Sequence, residues 1–515
     1  MSADSSISPP PADAVVVPTA SRRRELGLCL GLATAAAAAR GLLFMQPGVR
    51  FDPDQAIVGL MAKHISEGVA FPVHFYGQSY LLALEAYLAA PVMWWLGPTE
   101  VALKLPVLLL NVAIVGLLVS IAHRDLGLRP SLALAGALPL VVPPLLVGTR
   151  IMEAMGGNVE PLLYTLLLWR LRERLWAFAA VLAIGVVHRE LTVYAGAALL
   201  VLDVTASRRG ARAIVSRWAV AAVLVVVAAS VVDALRPFAA MYGPGSVARA
   251  TREDISVADA VGAQICIVPS RWPSRGRLVL TEHLPLLVGG LPGPNWPLGI
   301  NSGMGNGNPG LGPWVLALTI VALAAGVTAR RRRPAAAPAG IPAAAFAWYL
   351  VLTGGLSIAA YWLVACSQVT TFSAHYDLLA IYVPVGALLG GLGLKRPTVR
   401  AGLVTATLLW AVLSFDDYRA LAGEVADGRW PNPRGAAARA LAAAGDRALW
   451  GEFRLAYVVT FLAAERVTVA STSFHRVDRY AERARAANAP ILTYGPCRPE
   501  QRSEAVAPGI VICGP

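Results

Sequence analysis

Residues 51–68, FDPDQAIVGLMAKHISEG, follow the apolar run ELGLCLGLATAAAAARGLLFM at 25–45, with five residues between. That run is long enough to cross a bilayer, which takes about 20 apolar residues in a perpendicular helix. Two acids, Asp52 and Asp54, therefore stand where the first apolar segment ends. Ionisable groups at such a boundary are costly unless they face water, a partner or a site. What the two acids are for depends on the rest of the chain.

Hydrophobic residues make up 56% of the 515 and charged residues 15%, with a mean hydropathy of +0.59. A soluble chain carries nearer a quarter charged residues, so the composition is that of a membrane protein. The pI near 9.9 does not indicate nucleic acid. Its basic residues form short clusters between apolar runs, which is how membrane topology is set, and no basic face with stacking aromatics is present. Five cysteines lack metal-ligand spacing. Cys497 and Cys513 lie in the polar tail, where a disulfide or two free thiols both suit the sequence.

Apolar runs fall at about 25–45, 81–97, 100–121, 131–148, 159–169, 175–188, 191–205, 217–235, 312–329, 341–364, 377–394 and 400–415. Basic turns occur at Arg124/Arg129, Arg170/Arg172/Arg174, Arg208/Arg209/Arg212/Arg217, Arg330–Arg333 and Lys395/Arg396/Arg400. If these share the cytoplasmic side with SRRR at 21–24, one outward and one inward crossing separate SRRR from Arg124. Three apolar runs occupy that interval, so one does not cross. The run LLALEAYLAAPVMWWLG at 81–97 contains Glu85, Pro91 and the interface-suited pair Trp94-Trp95. It reads as an outer-face juxtamembrane or re-entrant helix.

The expected protein is thus an α-helical polytopic membrane protein of about eleven spans in the cell membrane. A disordered cytoplasmic N-terminus (1–24) leads into a transmembrane domain (25–415) with outer loops at 46–99 and 236–311. A small extracytoplasmic α/β domain (416–515) follows, read from strand-like runs RALWG, RVTVAST, PILTYG and GIVICG between two helical stretches.

Within this frame Asp52-Pro53-Asp54-Gln55 is a good helix start. Asp52 caps, Pro53 suits the first helical position and Gln55 completes a capping box. The helix is amphipathic and suited to the membrane surface. Capping leaves Asp54 without a required structural role, although an acid in the first turn is mildly favoured.

The succession DPDQAIVGLMAKHISEG, FYGQSYLLALEAYLAAPVMWWLG and VALKLP resembles the first outer loop of GT-C class polytopic glycosyltransferases. These include protein O-mannosyltransferase-like and aminoarabinose-transferase-like enzymes. The tail segment RALWGEFRLAYVVTFLAAERVTVA is similar to the outer domain of bacterial members. Gln55 stands where that family usually carries Glu, and His375-Tyr376 where Arg-Tyr is common. The resemblance implies transfer of a sugar from a polyprenyl-phosphate donor to a glycan, lipid or protein acceptor on the outer face.

A phosphate leaving group departs as a stable anion, so one base for the acceptor hydroxyl suffices, with positive charge around the phosphate. Asp54 is the candidate base, or a ligand to a divalent cation such as Mg or Mn that Asp52 and Asp54 would bridge. Asp52 otherwise serves as the cap alone. Glu85 is a second candidate acid, for positioning the acceptor, against a plain helix residue facing interfacial water. Tyr76, Gln78 and Tyr80 are candidate sugar contacts, against an ordinary connector. Arg189 is a candidate phosphate ligand, against a pair with Glu190 or Glu153. His375 and Tyr376 take the donor-phosphate position by resemblance only. Glu282-His283 reads as an interfacial helix pair. The competing functional classes are a lipid or polysaccharide flippase, another outer-face polymer enzyme, and an inactive scaffold. The acids gather on one face and the halves do not repeat, which favours an enzyme over a transporter.

Overall fold

A computed structural model describes residues 20–78, 81–207, 209–235, 262, 265–289, 318–323, 325, 341–366, 372–428, 432–473 and 475–514. Its first ten helices are α1 (Ala20–Phe44), α2 (Pro53–Ser66), α3 (Leu84–Leu96), α4 (Glu100–Asp125), α5 (Pro130–Val141), α6 (Leu145–Arg150), α7 (Glu160–Leu171), α8 (Leu175–His188), α9 (Thr192–Thr205) and α10 (Ala211–Leu235). Six described segments are long and apolar enough to cross a membrane: α1, α4, α10, Ala343–Leu363, His375–Leu392 and Pro397–Ala426. Shorter apolar helices α5, α8 and α9 pack among them. Of the eleven expected spans, the one at 312–329 lies largely outside the described residues, as does most of the loop 236–311.

Proline explains the main departure from the apolar runs. The run at 131–148 is broken into α5 and α6 at Pro143-Pro144, neither of which has an N–H to continue a helix. The carbonyls left at the end of α5 need donors. Arg40 of α1 supplies them, its Nη1 donating to Leu140 O at 2.9 Å and Val141 O at 3.2 Å. Its Nη2 donates to Asn111 Oδ1 of α4 at 2.8 Å. One arginine buried in the first span thus ties three helices together.

The helix α3 leaves Trp94 and Trp95 each 79% exposed, an arrangement that suits rings at the headgroup level. The helix α2 differs from expectation. Every residue from Gln55 to His64 is buried, because α2 is packed against α3, α4 and the tail helix Phe453–Leu462. It is an interior helix rather than one lying on the membrane surface. Gly59 permits this: a Cβ there would sit 2.6 Å from the Phe461 ring.

The last bundle helix runs on to Ala426, past the expected boundary at 415. The tail then forms a five-stranded sheet of β1 (Arg447–Gly451), β2 (Val467–Ser471), β3 (Ile491–Tyr494), β4 (Arg502–Ala507) and β5 (Ile510–Gly514). Their order is β2-β1-β3-β5-β4. The strands β2, β1 and β3 are parallel and joined through the helices Phe453–Leu462 and Asp478–Ala486, while β5 and β4 add antiparallel. Parallel neighbours require such helical crossovers. Disulfides join Cys497 to Cys513 and Cys266 to Cys366, and Cys29 is a buried free thiol.

Candidate active site

The N-terminus of α2 is built from the chain immediately before it. Asp52 is its cap, with the carboxylate accepting from Gln55 N at 2.9 Å, and Pro53 opens the first turn. The expected capping box is only half made. Gln55 is fully buried and its Nε2 donates to Arg50 O at 2.7 Å, while its Oε1, which would accept from the N–H of Asp52 in a complete box, has no hydrogen-bond partner among the described residues. Arg50 has a left-handed backbone, φ +50°. It turns the chain so that its own carbonyl meets both Gln55 and Lys104.

Lys104 is the rack on which this turn hangs. Buried to 1% exposure, its Nζ donates to Phe44 O at 2.8 Å and Val49 O at 3.0 Å, and lies 5.7 Å from the Phe51 ring centroid. We predict that Lys104→Met, of similar length but without donors, strands these buried carbonyls at a cost of about 1–3 kcal/mol each. A thermal melt of the purified variant measures it, and an unchanged melting temperature would contradict this role.

Behind the acids lies a buried ionic group. Glu153 accepts from Arg150 Nη1 at 2.9 Å and pairs with Arg50 Nη2 at 3.5 Å. The carboxylate of Glu153 is therefore taken by Arg50 and Arg150, not by Arg189. Asp54, in the first turn of α2, is half-buried. The protein packed around it strips away water and pushes its carboxyl up to about 7, with the charge of Asp52 adding to the rise and Arg476 opposing it. The surroundings also push Asp52 up, opposed by its bond from Gln55 N.

The connector after α2 folds back as a tight turn. Phe75 N donates to Leu81 O at 2.8 Å, Gln78 N donates to Phe75 O at 2.9 Å, and Gly77 has φ +70°. The tail domain holds this turn directly at one point and through His64 of α2 at another. Arg476 Nη1 donates to Gly77 O at 2.6 Å, and the Tyr76 hydroxyl lies 2.8 Å from His64 Nδ1. His64 Nε2 is in turn 3.0 Å from Glu465 Oε2. Glu465 also accepts from Lys63 at 2.7 Å, from Arg479 and from the Tyr480 hydroxyl. Gln78 Oε1 has no hydrogen-bond partner among the described residues. Tyr80 lies outside the described residues.

A second wall comes from the bundle. Glu85 is buried and accepts from Gly156 N at 2.6 Å and Gly157 N at 2.9 Å. Both glycines have positive φ, so the turn of the 149–158 loop is clamped by this carboxylate. Gly157 backs onto Arg189, whose Cδ would be 3.4 Å from a Cβ there. The Arg189 guanidinium lies 5.7 Å from the Tyr376 ring centroid. Tyr376 is within electrostatic reach of Arg189, Glu190 and Asp54. His375 is buried with its ring 4.0 Å from that of Tyr376.

The structure therefore brings Asp54, Arg189 and Tyr376 around one region. Arg476 reaches it from the tail, and Glu85 lies beneath as a backbone clamp. His283 is not interfacial: it is fully buried and its Nδ1 is 2.8 Å from Asp377 Oδ2. No group of three His, Cys, Asp or Glu side chains suited to a metal occurs among the described residues. Sequence reasoning missed Arg476 and Glu465, which lie about 400 residues from the helix they serve and carry no local pattern. A readable signal existed for Arg150 and Glu153, two charges in a short, otherwise apolar loop.

No protein-family model matches the sequence, and no curated protein is similar to it. The fold does match solved structures. ArnT from Cupriavidus metallidurans bound to undecaprenyl phosphate aligns with a TM-score of 0.54 at 13% identity, over 96% of this chain and 98% of that one. The apo state of the same protein gives 0.55 at 11% identity with the same coverage. From the first span to the tail sheet, this chain has the GT-C fold of ArnT.

Proposed function

We propose that the protein transfers a sugar from a polyprenyl-phosphate donor to an acceptor hydroxyl on the extracytoplasmic face of the cell membrane. The likeness to a structure that holds undecaprenyl phosphate supports the donor class. The observation that carries the reading is Asp54. It is a half-buried carboxyl raised to about 7, within electrostatic reach of Tyr376, whose ring lies 5.7 Å from the guanidinium of Arg189. A base works best when its affinity for a proton lies near the working pH.

In this reading Asp54 takes the proton of the acceptor hydroxyl as its oxygen attacks the anomeric carbon. The bond from that carbon to the phosphate oxygen breaks, and the electron pair leaves with the polyprenyl phosphate. Arg189 stabilises the charge gathering on the departing phosphate, with Tyr376 beside it and His375 packed behind. Glu85 acts as a positioning residue: by holding Gly156 and Gly157 it fixes the surface against which Arg189 rests. Gln78 offers a free acceptor to a sugar hydroxyl, and Tyr76 holds that turn to the tail. Asp52 keeps the cap that orients Asp54.

A divalent cation would find two carboxylates here, Asp52 and Asp54 in one turn, which fits an ion such as Mg that keeps its remaining positions for water and phosphate oxygens. It would add positive charge for the leaving group. The two disulfides, one in the tail and one between the long loop and Cys366, support an oxidising outer location for both. With the basic turns inside, the N-terminus is cytoplasmic and the tail domain extracytoplasmic.

The pH profile tests the base. An aspartate at its ordinary value of 3.8 is fully ionised by pH 6, whereas Asp54 still holds its proton there on about nine molecules in ten. Transfer of labelled sugar by the purified protein should rise about tenfold from pH 6 to a plateau above 8. A flat profile over that range would remove Asp54 from the role.

A further inference from the structure

We propose that the end of the bundle opposite Asp54 holds an anionic phospholipid, its phosphate among three arginines and an acyl chain along an apolar wall. A cavity of about 500 Å³ opens between the first turns of α1, the last turns of α4 and the end of α7. Leu26, Leu117 and Ile121 form its apolar side, and Arg22, Arg124 and Arg170 its charged end. Neither an aspartate nor a glutamate lines it.

The acids nearest in sequence are held mainly by other partners. Asp125 Oδ2 accepts from Trp169 Nε1 at 2.8 Å and pairs with Arg172 Nη1 at 3.3 Å. Its other oxygen pairs with Arg124 Nε at 3.6 Å from outside the cavity lining, so Arg124 is partly neutralised and Arg22 and Arg170 carry the unpaired charge. Glu25 turns to α5, accepting from the hydroxyl of Ser131 at 2.9 Å. Arg22 and Arg170 make no ion pair among the described residues. Gly127, at φ +63°, lines the cavity and has nothing within 4 Å of where a Cβ would sit, so the floor stays open.

Topology alone explains why arginines gather on this side. It does not explain why three of them converge on one cavity whose other wall is aliphatic. Guanidinium groups match phosphate oxygens, and the leucines and isoleucine match a hydrocarbon chain. A soluble anion would use only half of the cavity. The occupant is also distinct from the donor of the proposed reaction. Gly48, just before the acids, donates to Glu100 at the start of α4, and α4 runs about 39 Å from there to the cavity. A lipid here is a resident one that clamps the ends of α1, α4 and α7.

The test uses the full-length protein purified in neutral detergent. Phosphatidylglycerol, phosphatidylcholine and soluble glycerol phosphate are each titrated, with bound lipid counted by native mass spectrometry and stability followed by thermal melting. One tightly retained phosphatidylglycerol with a raised melting temperature is expected, with no matching response to phosphatidylcholine or glycerol phosphate. The double variant Arg22→Gln/Arg170→Gln should bind phosphatidylglycerol about tenfold or more weakly. Both residues are exposed, so the bundle core is untouched. Equal retention of phosphatidylcholine, or undiminished binding in the variant, would overturn the proposal. So would a melting shift reproduced by glycerol phosphate, which would make the site one for a soluble anion.

Discussion

Asp54→Asn is expected to lower sugar transfer by about 10²- to 10⁴-fold, the range removed with a general base. The asparagine fills the same space and Asp52 still caps α2, so the fold and the donor site persist. The control is Asp52→Asn. Asparagine caps as well as aspartate, so this variant should keep α2 intact and retain at least tenfold more activity than Asp54→Asn. If the two variants lose activity equally, Asp54 has no special place. That outcome would favour the pair acting together, as when bridging a cation.

Glu465→Ala should be the most damaging single change to stability. Burial alone would raise this carboxyl, but hydrogen bonds from His64, Lys63 and Tyr480 hold it well below the usual carboxylate range. Removing it leaves Lys63 and Arg479 facing each other across a half-buried gap. Breaking a buried ionic group by removing one member costs about 3–5 kcal/mol. A folded-state value below the ordinary 4.5 means that the stabilisation is complete above 4.5 and is lost progressively as the pH falls from there through the lowered folded-state value. The loss should appear as a lower melting temperature at pH 7. It should appear also as protease sensitivity at the junction of α2 and the tail, because Glu465 ties His64, and through it Tyr76, to the tail domain and also holds Arg479, the other tail residue that reaches His64. Wild-type stability in the alanine variant would mean that Gly59 and Phe461 hold the junction unaided.

The start of α2 was readable because Asp-Pro at a helix entry carries its own local physics, and the structure has both the cap and the first-turn proline. Four tail strands were readable as short apolar runs between turns, whereas β4 was missed because RSEAVA is a polar edge strand, exposed along most of its length. The burial of α2 was not readable. Its polar residues Gln55, Lys63 and His64 suggest a wet face, yet Lys63 and His64 are satisfied by Glu465, about 400 residues away in sequence, and the Gln55 Nε2 by the carbonyl of the turn before its own helix. Glu85 shows the same limit. Nothing local distinguishes a carboxylate awaiting substrate from one receiving two glycine N–H groups of another loop. Lone ionisable residues in apolar sequence flagged where polar chemistry lies, but only the tertiary structure assigns their partners.

The central claim is that a polyprenyl-phosphate-linked sugar is transferred at the edge of α2. The direct measurement places wild type and Asp54→Asn in liposomes of one composition and follows two readouts: binding of undecaprenyl phosphate and release of labelled sugar from membrane polyprenyl-phosphate donors. The account predicts equal binding by both proteins and label transfer by wild type alone. Binding and transfer unchanged in Asp54→Asn would move the reaction elsewhere, and failure of the folded wild type to bind the lipid at all would contradict the account.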